Sequence, residues 1–124
     1  MTLLITAKDV QSVLTYPLSL KTVEASFKAF GQDKACQSPK AYLIFKDGDL
    51  RSMPAYINTT GMNIAGIKSV TVHPDNHKKF SLPTVMATIL LTDPKNGFNV
   101  AVLDGTSITN MRTGASGRVA TKYL

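Results

Sequence analysis

The chain has 124 residues, of which 44% are hydrophobic and 18% are charged, and its net charge is +6. This length predicts one domain, the apolar content excludes a disordered tail, and the absence of any run of roughly 18 apolar residues excludes a transmembrane helix. The single cysteine, Cys36, excludes an internal disulfide, and the first six residues lack the regions of a signal peptide, so we expect a cytoplasmic protein.

Two helices are predicted near the start of the chain. Thr6 and Asp9 have the spacing of a capping box, which opens a helix that runs through about residue 14. Pro17 is expected to end the connection that follows. Residues 19–30 are predicted to form the second helix, because their apolar side chains recur at helical spacing.

Apolar residues alternate with a period of two from residue 41 onward, which predicts strands. Asp47 and Gly48 mark a hairpin turn, and Pro54 restricts its strand to a sheet edge or a bulge. The predicted strands cover residues 3–5, 41–45, 50–57, 63–73, 84–91 and 98–103, with a polar loop at 74–83 and a turn at 93–97. Two helices, then five strands and a terminal helix, predict an α+β fold with a mostly antiparallel or mixed sheet.

The last segment, residues 104–124, is predicted to pass from a strand end through a turn into a helix. Arg112 lies near the start of this helix, and small residues recur every three or four positions, at Gly114, Ala115, Gly117 and Ala120. Glycine costs roughly 1 kcal/mol against alanine in a helix, so the pattern favours close packing against a neighbour rather than helix stability. We therefore interpret this segment as a helix that leads into a further domain.

The positive charge is dispersed along the chain. Only residues 77–79 form a short basic run, whereas nucleic-acid binders cluster their cations among aromatic residues. A nucleic-acid partner is therefore not expected, and neither is a membrane. An anionic small ligand explains a few well-placed cations at least as well.

Two of the cations fall on apolar strand faces. Arg51 shares a face with Met53, and Lys68 shares a face with Val70, because side chains alternate along a strand. One interpretation is a charge at a sheet edge that opposes aggregation. The other is a cationic pocket for a carboxylate, which arginine binds bidentately and lysine meets as a point charge.

Other chemistries have little support in the sequence. The dinucleotide fingerprint Gly-x-Gly-x-x-Gly after a strand is absent. His73 and His77 are four residues apart, but the proline and loop residues between them argue against a helix, so no metal site is expected. Only Asp104 among the carboxylates lies near the terminal helix. The chain is thus suited to hold an anion and poorly equipped with a general acid or base.

Several motifs carry a resemblance to a known family. The residues are Pro39-Lys40, GDLRSMPAYI at 48–57, AGIKSVTVHPDN at 65–76, LPTVMATILLTDPKNGF at 82–98 and ITNMRTGASG at 108–117. In order and spacing they resemble the amino-terminal half of the ornithine cyclodeaminase and mu-crystallin family. The resemblance extends over essentially the whole chain.

The resemblance implies a division of the chain and a set of partners. Residues 1–106 would form an incomplete substrate-binding and dimerisation domain, whose sheet pairs with that of a second copy in a homodimer. Residues 107–124 would form a helix leading into a Rossmann domain that is missing here and that binds NAD or NADP. The ligand would be a small amino acid or keto acid.

The resemblance also implies roles for five residues. Lys68 corresponds to the active-site lysine, near the substrate carboxylate. Arg112 would lie between substrate and cofactor, with Thr113 beside it on the phosphate side. Lys40 and Arg51 resemble the carboxylate contacts of the alanine dehydrogenase branch.

The same pattern favours alanine dehydrogenase activity, the oxidative deamination of L-alanine to pyruvate and ammonia. Ornithine cyclodeaminase, which forms L-proline from L-ornithine, and ketimine reductase remain alternatives. We expect the chain alone not to be a competent enzyme, because the nucleotide-binding half is missing. A stand-alone dimerisation module and a basic nucleic-acid binder are the alternatives outside enzymes.

Overall fold

A sheet of seven strands forms the centre of the computed structural model, which describes residues 1–124. The strands are β1 (Leu3–Ile5), β2 (Ala35–Gln37), β3 (Ala41–Phe45), β4 (Gly48–Thr59), β5 (Met62–Val72), β6 (Val85–Thr92) and β7 (Asn99–Asp104). They lie in the order β1-β7-β6-β5-β4-β2, and β3 also pairs with β4. Only β1 and β7 are parallel. The predicted α+β fold with a mixed sheet is therefore confirmed.

Four helices accompany the sheet: α1 (Ala7–Val13), α2 (Tyr16–Gly31), α3 (Asn76–Phe80) and α4 (Thr106–Tyr123). The predicted capping box opens α1, where the Thr6 hydroxyl accepts from the Asp9 N–H and the Asp9 carboxylate accepts from the Thr6 N–H. Pro17 does not end the connection as expected. It lies in the first turn of α2, where backbone N–H groups have no intrahelical partner. Proline therefore costs the helix no hydrogen bond there. None of the helices combines the length and apolar character needed to span a membrane.

Two elements lie outside the predicted set. β2 has three residues, too few for an alternating pattern to show in the sequence. The segment 74–83 was expected to be a polar loop, but α3 forms one helical turn within it, so this prediction was wrong at those five residues. His77 consequently lies on a helix, and Ser81 ends it in the left-handed conformation, at φ 54°.

The outer edge of β4 changes partner along its length. β3 pairs with β4 as far as Ser52, and β2 pairs with it from Ala55 onward. Pro54 lies in the gap between these two partners and has a neighbouring strand, β5, on one side only. This agrees with the edge position that proline predicts.

Gly48 has a different role from the one its sequence context suggests. The hairpin is present, but its turn consists of Lys46 and Asp47, and Gly48 is the first residue of β4. A β-carbon at Gly48 would lie 2.3 Å from the carbonyl oxygen of Val72 and 2.7 Å from the ring of His73. Glycine is required here by the close approach of β5.

The two faces of the sheet differ in burial. Val70, Ala87 and Ala101 are buried, and the strand registers place them on one face, which α4 contacts through β6. Ile67 and Thr88 point to the other face and are exposed. The helices therefore cover one face, and the opposite face of the central strands is open.

The small residues of α4 do not act as a set. Ala115 is fully buried, and α4 packs against α2. Gly114 and Gly117, in contrast, have no atom within 4 Å of the position that a β-carbon would take. Close packing against a neighbour therefore explains Ala115 but does not explain Gly114 and Gly117.

Candidate functional site

Three of the predicted cations line one cavity of about 430 Å³ between the sheet and α4. Lys40 comes from the connection between β2 and β3, Lys68 from the middle of β5, and Arg112 from the second turn of α4. The rest of the lining consists of Gln37, Ser38, Pro39, Met53, Pro54 and Ala55. No carboxylate is among these residues, so the cavity carries positive charge without a counter-ion.

The position of Lys68 follows from strand register. Its partners across the sheet are Met53 on β4 and Ile89 on β6, so the amine projects from the face that α4 covers. There it is partly buried and donates to the hydroxyl of Thr109, at 3.3 Å from Nζ to Oγ1. Thr109 itself is buried. The lysine is thus held by a neutral acceptor and by apolar neighbours.

Electrostatics make Lys68 the most perturbed group at this site. Burial, and then the charges of Arg112 and Lys40, lower the pKa of Lys68 from 10.5 to about 8. A bound carboxylate would compensate the charges of Arg112 and Lys40 and would so raise the pKa of Lys68 again. The free site therefore favours an anionic ligand.

Arg51 lies on the same face as Met53 but outside the lining of this cavity. Its guanidinium forms two hydrogen bonds with the carboxylate of Asp49, at 2.7 and 2.9 Å, and lies 5.5 Å from the ring centre of Tyr42. The hydrogen bonds from Arg51 hold the pKa of Asp49 below its usual value. The guanidinium of Arg51, which was expected to bind substrate, is therefore already paired with the carboxylate of Asp49.

Arg112 and Thr113 are adjacent on α4, and both are exposed. The guanidinium of Arg112 can therefore face both the cavity and the space beyond it. The Thr113 hydroxyl donates to the backbone carbonyl of Thr109, at 2.8 Å. In this conformation its oxygen remains free to accept a hydrogen bond but has no proton to donate.

A second, apolar cavity of about 480 Å³ adjoins the first. The two share Gln37, Met53, Ala55 and Lys68. Its other walls are the sheet and the side chains of Phe27 and Phe30, which are each about half exposed on α2. Sequence reasoning missed this cavity and also the contact with Thr109. The only available signal was the row of apolar residues on α2, which indicated a helix without indicating what it faces.

Metal-ligating side chains do not gather at this site or elsewhere. No group of three or more His, Cys, Asp or Glu residues could hold an ion. His77 lies exposed on α3, and His73 packs beside Phe45, with 6.1 Å between ring centres.

The fold and the cavity together define an α+β domain with a cationic cavity between its sheet and its last helix. The chain belongs to the ornithine cyclodeaminase/mu-crystallin family, whose model matches residues 1–124. The resemblance carried by the sequence motifs is thereby confirmed.

Individual relatives agree with this assignment. The chain is 45% identical to an alanine dehydrogenase of Archaeoglobus fulgidus over 123 residues, which cover 99% of this chain and 37% of that protein. It is 31% identical to an L-lysine cyclodeaminase of Streptomyces rapamycinicus, over 85% of this chain and 31% of that protein.

Solved structures show the same fold. The solved structure of a Delta(1)-pyrroline-2-carboxylate reductase from Thermococcus litoralis, in complex with NADH and L-proline, superimposes with a TM-score of 0.93 at 36% identity. The match covers 99% of this chain and 38% of that one. The chain therefore spans about a third of the length of these relatives.

Proposed function

We propose that this chain is the substrate-binding part of an NAD-dependent oxidoreductase that acts on a small amino acid, with L-alanine as the preferred candidate. The convergence of Lys40, Lys68 and Arg112 on one cavity without a carboxylate carries this proposal. The reaction would be oxidative deamination, which yields pyruvate and ammonia. The identity to the alanine dehydrogenase of Archaeoglobus fulgidus supports the choice of substrate.

The cations would bind and orient the substrate. The planar guanidinium of Arg112 suits both oxygens of a carboxylate, and Lys40 supplies a point charge from the connection between β2 and β3. With the carboxylate fixed, the α-carbon has one orientation relative to α4. Proximity and orientation of this kind account for much of the rate enhancement of enzymes that use a separate redox cofactor.

The residues on α4 fit a nicotinamide dinucleotide in part. Arg112 presents an exposed guanidinium that suits a phosphate, whereas the hydroxyl proton of Thr113 is already donated to Thr109. Arg112 would therefore lie between the substrate and the cofactor, and Thr113, on the phosphate side, would donate to the cofactor only after a rotamer change. The cofactor, when bound, supplies the hydride acceptor.

A cyclodeaminase or imine reductase is the second candidate. The apolar cavity beside Lys68 has room for a longer or cyclic side chain, which L-alanine would leave empty. The relatives include a lysine cyclodeaminase and a reductase solved with L-proline. In this alternative the carboxylate contacts are the same, and the second cavity holds the remainder of the substrate.

The open face of the sheet supports association with a second copy. Leu4, Leu43 and Ile67 project from this face and are 78%, 62% and 36% exposed. Exposed apolar side chains spread over several strands are typical of an interface. We propose a homodimer formed through this face. Charged substitution of Leu43 is expected to shift the sedimentation coefficient to that of a monomer.

The test of the substrate site is ligand-dependent stabilisation. We expect pyruvate and L-alanine to raise the melting temperature of the chain, because a ligand that binds only the folded state stabilises it. Arg112→Gln should weaken pyruvate affinity about tenfold or more, since a charge-assisted hydrogen bond is worth roughly 1.5–3 kcal/mol. Arg118→Gln, an exposed arginine on the same helix, is the matched control and should bind as the wild type does.

Calorimetry with NAD separates the roles of the two halves. The chain alone should bind the dinucleotide weakly or not at all, because it provides only Arg112 and Thr113. Micromolar affinity would refute this division of labour. Equal affinity of the Arg112 and Arg118 variants for pyruvate would refute the carboxylate site.

A further inference from the structure

We propose that the amine of Lys68 is a nucleophile that condenses reversibly with the carbonyl carbon of a 2-oxo acid held in the cationic cavity, forming an imine. This proposal rests on the proposed function, because it requires that a 2-oxo acid binds at Lys40 and Arg112. It adds covalent chemistry that positioning and hydride transfer do not require.

The surroundings of Lys68 suit this reaction. Its amine has a single hydrogen-bonding partner, the Thr109 hydroxyl at 3.3 Å, and no carboxylate holds it in the charged form. The neighbouring charges are Arg112 on α4 and Lys40 in the connection to β3. The parts of α2 and β6 beside it contribute only uncharged residues, namely Ser26, Phe27, Phe30, Ile89 and Leu91.

These surroundings keep part of the amine uncharged near neutral pH. The lowered pKa of Lys68, about 8, means that at pH 8 about half of the amine has a free lone pair. A lysine desolvated beside other cations is a known arrangement for attack on carbonyl carbons. Exposed lysines with an ordinary pKa of 10.5 would be neutral about two orders of magnitude less often.

The ligand geometry brings the reacting atoms together. In a 2-oxo acid the carbonyl carbon is bonded directly to the carboxylate carbon. When Arg112 and Lys40 hold the carboxylate, that carbon lies inside the same cavity as the Lys68 amine. The approach is therefore intramolecular in effect.

The step balances without an oxidant or a reductant. The nitrogen lone pair forms a C–N bond while the carbonyl π electrons move to oxygen, which takes up a proton from the amine. The resulting carbinolamine loses its oxygen as water as the C=N bond forms. One amine and one ketone thus give one imine and one water.

Reductive trapping tests the proposal on the chain as it is. The chain is incubated with pyruvate and cyanoborohydride at pH 8, and modified lysines are located by peptide mass mapping. Each trapped imine adds the mass of pyruvic acid less one oxygen atom. We expect Lys68 to be labelled at least about tenfold faster than exposed Lys78 and Lys95, given its larger neutral fraction.

Controls separate this reaction from general alkylation. Acetone lacks a carboxylate and should label Lys68 much more slowly than pyruvate does. Lys68→Arg should abolish the fast adduct, and Lys95→Arg should leave it unchanged. The mapping in the wild type does not depend on whether the Lys68 variant folds.

The outcomes distinguish the two proposals. Stabilisation by pyruvate without an adduct on Lys68 would overturn the imine and leave the carboxylate site intact. Uniform labelling of all lysines, or equal labelling by acetone, would also overturn it. The absence of both stabilisation and adduct would refute the proposed function together with the imine.

Discussion

Lys68→Met should stabilise the ligand-free chain at neutral pH while weakening its affinity for carboxylates. The amine is partly buried, lies near two other cations, and has only a threonine hydroxyl as partner. Methionine keeps the apolar stem and has no charge to desolvate. The expected gain is therefore the release of an electrostatic penalty that the free site carries.

The size of this penalty follows from the pKa. A fall from 10.5 to about 8 corresponds to at most roughly 3.5 kcal/mol at about 1.4 kcal/mol for each tenfold change in proton affinity. The amine is still partly exposed, and solvent screening reduces the expected effect to about 1 kcal/mol. The pKa is lowered on folding, so the unfolded chain binds more protons between pH 8 and 10.5, and the stability of the wild type rises with pH across that window.

Urea unfolding as a function of pH measures the effect. The free energy of unfolding of Lys68→Met should exceed that of the wild type by about 1 kcal/mol at pH 7, and the difference should vanish toward pH 10.5. Lys78→Met, at an exposed position on α3 outside the cationic cavity, is the matched control and should leave the free energy of unfolding at pH 7 close to that of the wild type. A stability difference for Lys68→Met that stays constant from pH 7 to 10.5 would show that the charge of this lysine is not destabilising.

Three further substitutions test the fold and the site. Gly48→Ala should lower the free energy of unfolding by about 2–4 kcal/mol, because its β-carbon would meet a backbone oxygen at 2.3 Å, whereas Gly31→Ala, in open space, should have little effect in the same urea titration. Gly117→Ala should raise the melting temperature, with a gain of about 0.5–1 kcal/mol, because alanine favours the helix and nothing is displaced; destabilisation would show a contact that is hidden here. Arg51→Gln should reduce pyruvate affinity less than Arg112→Gln does, since Asp49 already binds Arg51; an equal loss in calorimetry would place Arg51 in the carboxylate site.

Local signals in the sequence predicted most of the elements. The capping box at Thr6 and the alternating residues of the central strands each depend on neighbours within a few positions. Such signals can be recognised without knowledge of distant residues. The elements that escaped prediction, β2 and α3, are short, and β2 is a strand because it pairs with β4.

The residues of the candidate site were predicted mainly from the family resemblance and less from the alternation of side chains along the strands. Strand parity placed Lys68 on an apolar face, but parity cannot say which face a helix covers. The partnership of Arg51 with Asp49 is a local pair, two residues apart on one strand. Alternation places both on the same face, so this pair could have been foreseen from the sequence.

The cationic cavity bears on the charge of the ligand, and the apolar cavity bears on the size of its side chain. Under the proposed function, the uncompensated charge of Lys40, Lys68 and Arg112 would select a carboxylate, which every amino and keto acid has. The space between α2 and the sheet, reached past Met53 and Lys68, would limit the size of the side chain that fits. We propose that relatives named for alanine, lysine and pyrroline substrates share the first cavity and differ in the second. Substitutions along Phe27 and Phe30 should change which acid binds, whereas substitutions at the cations should change whether any acid binds.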